Sequence, residues 1–149
     1  MPSIYNQADI DSFIERINKL TPASAREWGK MNVAQMLEHC RLPLLVVTGE
    51  LKAKRSILGY IFGRFALNQG LQQQQIKRGL PTSPEFKVVD SGDFEKQKQQ
   101  LITILKRFGK SGASLVSTQP HPFFGVMTAE EVDNIQWKHI DHHLRQFGV

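Results

Sequence analysis

Apolar residues recur at three- and four-residue intervals along most of this chain. Ile10, Phe13, Ile14, Ile17 and Leu20 share one helical face and predict an amphipathic first helix of about three turns. Asn6 and Asp9 are candidate caps for its start, and Thr21-Pro22 marks its end, because proline disfavours helical geometry in the residue before it. A loop through Trp28-Gly29-Lys30 leads to a second helix with a well-marked start. Asn32 can cap it, Gln35 sits at the capping-box position, and Met31 and Met36 are spaced for a hydrophobic staple. Val33, Met36, Leu37 and Cys40 form its apolar stripe. Pro43 deletes the hydrogen bond to the carbonyl of His39, which predicts a kink or a stop near that histidine.

Leu51 to Arg55 reads as a polar, basic connection and Ile57 to Leu71 as a short, strongly apolar helix. Gly79-Leu80-Pro81-Thr82-Ser83-Pro84 is loop chemistry, and Phe86 to Val89 could be extended. A third main helix turns Phe94, Leu101, Ile102, Leu105 and Phe108 inward, with Gly109 near its end. After the loop Pro120 to Gly125, the last helix starts at Thr128, where Glu131 completes a capping box and Met127 faces Val132. Four long amphipathic helices, almost no strand pattern and one long connection predict an all-α fold. The expected form is a single domain over residues 1–149, an antiparallel four-helix bundle with a long crossover containing a short extra helix.

Composition adjusts this picture only at the edges. A hydrophobic fraction of 40% and a charged fraction of 22% are those of an ordinary globular protein. The longest apolar run, Ile57 to Leu67, is broken by Arg64 and too short to span a bilayer, and the start lacks a basic segment followed by an apolar one. The lone Cys40 cannot form an internal disulfide, which fits a reducing cytoplasm. The formal charge of +5 permits an acidic partner without demanding one. Lys52, Lys54, Arg55, Arg64, Lys77 and Arg78 make the crossover basic, read first as a solvated surface and second as an anion-binding rim around a pocket. Neither nucleic acid nor a membrane is expected as a partner, since no recognition helix, aromatic RNA-binding signature or cysteine-rich finger is present. Phosphate loops, Gly-x-Ser-x-Gly elbows and the glutamate of metalloprotease helices are missing too.

The chemistry is concentrated near the C-terminus, where Trp137 to Phe147 holds three of the five histidines. His139 and His143 are four residues apart, so both imidazoles leave one helical face and can grip one transition-metal ion. At about 100° per residue they share the arc of Val132, Ile135 and Phe147, while His142 falls toward the polar edge and Asp141 nearly opposite. Buried imidazoles need partners for both nitrogens; a metal can take one and a nearby acceptor the other, with Gln136 and Gln146 as candidates. Spacing alone leaves a second reading open, in which these histidines bond to neighbours or sit at the solvent rim. His39, on the arc of Met36, Pro43 and Val46, is a candidate third ligand, and three protein ligands would leave a coordination position open. Cys40 is turned toward Val33 and Met36 and reads as core. His121 reads as a loop anchor, Phe123 and Phe124 as a plug at one end of the bundle, and Trp28 and Trp137 as packing residues.

Two segments carry a resemblance. Trp28-Gly29-Lys30-Met31-Asn32-Val33-Ala34-Gln35-Met36-Leu37-Glu38-His39 and His139-Ile140-Asp141-His142-His143-Leu144 resemble the DinB-like group of bacterial proteins. His121-Pro122-Phe123-Phe124-Gly125 and Arg145-Gln146-Phe147-Gly148 look like one of its subgroups. The resemblance implies a four-helix bundle holding a divalent ion, zinc or nickel, by His39, His139 and His143, with His142 matching a neighbouring histidine of lower rank. It also implies a metal-dependent enzyme, a thiol-dependent S-transferase acting on a small thiol and an electrophilic substrate, and a homodimer. A metal-dependent hydrolase and a non-catalytic metal-binding bundle are the alternatives.

Overall fold

The computed structural model describes residues 2–82, 84–90 and 92–149. Its regular structure is helical: α1 (Gln7–Asn18), α2 (Val33–Val47), α3 (Ile57–Gln72), α4 (Phe94–Ser111) and α5 (Ala129–Gln146), with single 3₁₀ turns at Pro84–Phe86 and Gly112–Leu115. Among the described residues there is no strand, only one isolated bridge between His121 and Gly125.

Local chemistry sets most of the boundaries. Asn6 caps α1 by accepting from the amides of Ala8 and Asp9, while Asp9 turns back to accept from the amide of Ser3. Both predicted capping boxes form, Asn32 with Gln35 at α2 and Thr128 with Glu131 at α5. Helix α1 ends at Asn18, slightly ahead of Thr21-Pro22. Helix α4 runs through Gly109 and stops at Gly112, whose φ of 58° is open to glycine at little cost.

Three expectations need correction. Helix α2 does not stop near His39 but continues through Pro43 to Val47. Pro43, Leu44, Val46 and Val47 are all buried, so packing sustains the helical path where one hydrogen bond is missing. The helix in the crossover is not short: α3 has 16 residues, against 12 in α1 and 15 in α2. Phe86 closes a 3₁₀ turn instead of opening an extended segment.

The hydrophobic core is assembled from α1, α2, α4 and α5 together with the segments flanking them. Phe13, Met36, Leu37, Leu44, Leu101, Leu105, Phe108 and Ile140 are almost completely removed from water. Helix α4 packs on α1 and α2, and α5 packs on α1 and α2. Helix α3 stands outside this core and meets α5. Its inner face is made of glycines and the fully buried Leu67. A Cβ on Gly59 or Gly63 would collide with the backbone of Phe123, and one on Gly70 would press on Ile135. At its far end the buried Lys138 donates to the carbonyls of Gly70 and Leu71 at 3.0 Å each, two acceptors the helix cannot satisfy itself. No helix among the described residues is long and apolar enough to cross a membrane.

Candidate metal centre

Helices α2 and α5 bring His39, His139 and His143 together, and one ring nitrogen of each lies within 4.8 Å of the others. Nε2 of His39 and Nε2 of His139 are 3.0 Å apart. The rings meet edge to face, with centroids 4.6–4.9 Å apart over the three pairs. A tetrahedral ion with bonds of about 2.0–2.1 Å sets its nitrogen ligands roughly 3.3 Å apart, close to this spacing.

The outward nitrogens are held in the way a metal site needs. Nδ1 of His39 lies 2.9 Å from the carbonyl oxygen of Phe86, and Nδ1 of His143 lies 2.8 Å from Oε1 of Gln146. A proton on each Nδ1 makes both contacts hydrogen bonds and leaves the Nε2 lone pairs facing the common centre. Gln146 is itself fixed, since its Nε2 donates to the carbonyl of Trp28 at 2.8 Å. Of the two glutamine acceptors proposed from sequence, Gln146 therefore serves this role and Gln136 does not. The carbonyl of Phe86 had no sequence signal, being 47 residues from His39 on an irregular segment.

Electrostatics keep all three rings neutral at ordinary pH. Burial lowers the pKa of His39 despite the opposing bond to Phe86. His143 is pushed down to about 3, by burial first and then by the nearby His39. His139 is held well below the usual range by burial and by its three histidine neighbours. A low dielectric and mutual repulsion thus withhold protons from lone pairs that a cation would use.

The other singled-out residues fall on both sides of expectation. Cys40 is fully buried, with Sγ 3.7 Å from Sδ of Met36 and its thiol pKa raised by burial, so it is core and not a nucleophile. His121 anchors its loop: its backbone pairs with Gly125 and its Nδ1 accepts from the amides of Phe123 and Phe124, both at 3.1 Å. His142 is not at a polar edge but buried against Trp28 and His143, because chain outside the helix covers it. It is not one of the three converging residues. Trp137 packs on Phe13 as expected. Trp28 instead stands on a pocket wall, with the Arg78 guanidinium 3.8 Å from its ring centroid.

That pocket, about 800 Å³ in volume, has the three histidines in its lining. Met31, Ile76, Leu80, Phe86, Phe123 and Phe124 give it apolar walls, while Lys30, Lys77 and Lys87 contribute exposed cations. Among the described side chains no Asp or Glu lines it. Oε1 of Gln136 and Nδ1 of His139 are buried there without a hydrogen-bond partner.

An all-helical chain with three converging imidazoles, buried or half-buried, that could hold a metal ion and line a ligand-sized pocket is the class defined so far. The chain belongs to the family described as Protein of unknown function (DUF1569), which residues 5–148 match. No curated protein and no solved structure matches it.

Proposed function

We propose that this protein is a metal-dependent enzyme that joins a small thiol to an electrophilic substrate, with a divalent ion, zinc or nickel, held by His39, His139 and His143. The observation that carries the reading is that three imidazoles converge in the wall of a pocket large enough for an organic ligand. Three protein ligands with open space beside them are the pattern of a catalytic site, whereas a structural site is closed by four. The surrounding fold is read as a four-helix bundle of α1, α4, α2 and α5, with α3 carried in the crossover. The packing of α4 and of α5 on both α1 and α2 supports that arrangement.

When bound, such an ion supplies Lewis acidity that favours the thiolate over the thiol at neutral pH. The protein's own groups do the rest. Phe86 and Gln146 hold the imidazoles of His39 and His143 in one orientation. The apolar walls exclude water from a nucleophile that hydration would weaken. Oε1 of Gln136 offers an acceptor to an O–H or N–H of the bound ligand, and Lys30, Lys77 and Lys87 favour a ligand carrying negative charge. A hydrolase reading is weaker because, among the described side chains, no carboxylate lines the pocket to serve as general base. DinB-like resemblance in the segments around His39 and His139 supports the same reading.

The test is to load the purified protein with zinc, nickel or cobalt and assay small thiols against electrophiles. Turnover by a metal form, lost in His139→Ala, and a thiol-induced change in the cobalt spectrum are expected. Absence of turnover with every metal, together with an unchanged spectrum, would remove the proposal.

A further inference from the structure

Helix α3 is built inside out. Apart from the fully buried Leu67, its small residues face the protein and its large apolar ones face solvent: Ile57, Leu58, Tyr60, Ile61, Phe62 and Phe65 range from 53% exposed at Phe62 to 79% at Ile57. At about 100° per residue, Ile57, Ile61, Phe65, Leu58 and Phe62 fall within an arc of roughly 140°, forming one continuous ridge. Exposed apolar patches of this kind mark interaction sites, because water gains when they are covered.

Charge narrows the choice of partner. From Leu51 to Pro84 the sequence contains no Asp or Glu but six basic residues: Lys52, Lys54, Arg55, Arg64, Lys77 and Arg78. Lys52 and Lys54 are exposed before the helix, so positive charge flanks the N-terminal end of the ridge. Arg55 lies over the ring of Tyr60, 4.2 Å from its centroid, an amphipathic pairing suited to an apolar–water boundary. A second copy docked through the same face would set cations against cations with no acid on this segment to offset them. The convex ridge also fits a deformable surface better than a rigid groove.

We propose that α3 attaches this protein to the surface of a bilayer containing anionic lipid. The apolar ridge enters the acyl boundary, and Lys52 and Lys54 meet the headgroups. The expectation of no membrane partner rested on the length of a spanning segment. Lying in the interface needs only one apolar face and basic flanks.

The experiment is vesicle co-sedimentation of the full chain, using phosphatidylcholine vesicles with and without about 30% phosphatidylserine. We expect binding to the anionic vesicles, weakened at least about tenfold without phosphatidylserine or in high salt. Ile61→Glu/Phe65→Glu should abolish it while leaving the circular dichroism spectrum and Tm unchanged, because both side chains already face water. His39→Ala should bind vesicles like the parent, which separates this proposal from the metal centre. Failure to bind anionic vesicles would overturn it. So would equal binding to neutral vesicles, or a dimer broken by Ile61→Glu/Phe65→Glu in a protein that ignores lipid.

Discussion

Helices α5 and α3 touch each other and break the amphipathic rule in opposite directions. Helix α5 turns polar side chains inward, burying His142, His143, Gln136 and Gln146, whereas α3 turns Ile57, Leu58, Ile61, Phe62 and Phe65 outward and, Leu67 apart, glycine inward. Helices α1 and α4 do neither, and their apolar stripes simply build the core. Burying an imidazole or exposing a phenylalanine costs free energy unless something answers it. On α5 the answers are visible in part, as Phe86 and Gln146 bonded to two of the three converging rings. On α3 the answer lies outside the chain. Where a helix departs from its expected face, the departure locates an interaction.

The sharpest way to break the α5 side of this contrast is to remove a ligand. His143→Ala should weaken zinc binding by about a thousandfold, read by competition with a chromophoric chelator. An affinity within a few-fold of the parent would mean that the ion sits elsewhere. On the α3 side the largest effect comes from its inner face. Gly63→Val drives a side chain into the Phe123 carbonyl and should cost about 3 kcal/mol, measured by urea denaturation.

Gln146→Ala frees Nδ1 of His143 and unties the Trp28 segment, so zinc affinity should fall about 10–100-fold, less than on loss of a ligand. An effect equal to that of His143→Ala would make Gln146 a ligand in its own right.

A smaller effect concerns His121, whose pKa is lowered to about 4 by burial and by Arg55. An unfolded histidine titrates near about 6.5, so the unfolded chain binds more protons between the two values. This contribution is complete above about pH 6.5 and is lost as pH falls toward 4, amounting to about 3 kcal/mol at the lower end. His121→Asn keeps an acceptor for the amides of Phe123 and Phe124 but cannot charge, so its Tm should fall less steeply over that window. The smallest effect is on the outer face of α3, where Phe65→Glu should change stability by no more than about 0.5 kcal/mol.

What the sequence conveyed was local. The capping boxes at Asn32 and Thr128 involve neighbours three residues apart, and the His139–His143 spacing fixes a shared face once the helix is known. His39 could be nominated because its arc on α2 is apolar. The pocket walls could not be read, since residues 76–82 and 86–88 reach the site outside the long helices, with no periodicity to betray them. The same segment explains His142: a helical wheel counts one helix, and covering chain from elsewhere turns a polar edge into interior. Pro43 was given too much weight because one missing hydrogen bond is outweighed by the burial of its neighbours. The faces of α3 were not legible either, since its residues are apolar on most sides and only Gly59, Gly63 and Leu67 distinguish the inner face from the outer.

The central claim is that His39, His139 and His143 hold one ion in common. It is tested most directly by elemental analysis of the protein purified from metal-supplemented cells beside the His39→Ala/His143→Ala double variant. About one equivalent of zinc or nickel per chain is expected in the parent and essentially none in the variant. A metal-free parent, or the same metal content in both proteins, would contradict it.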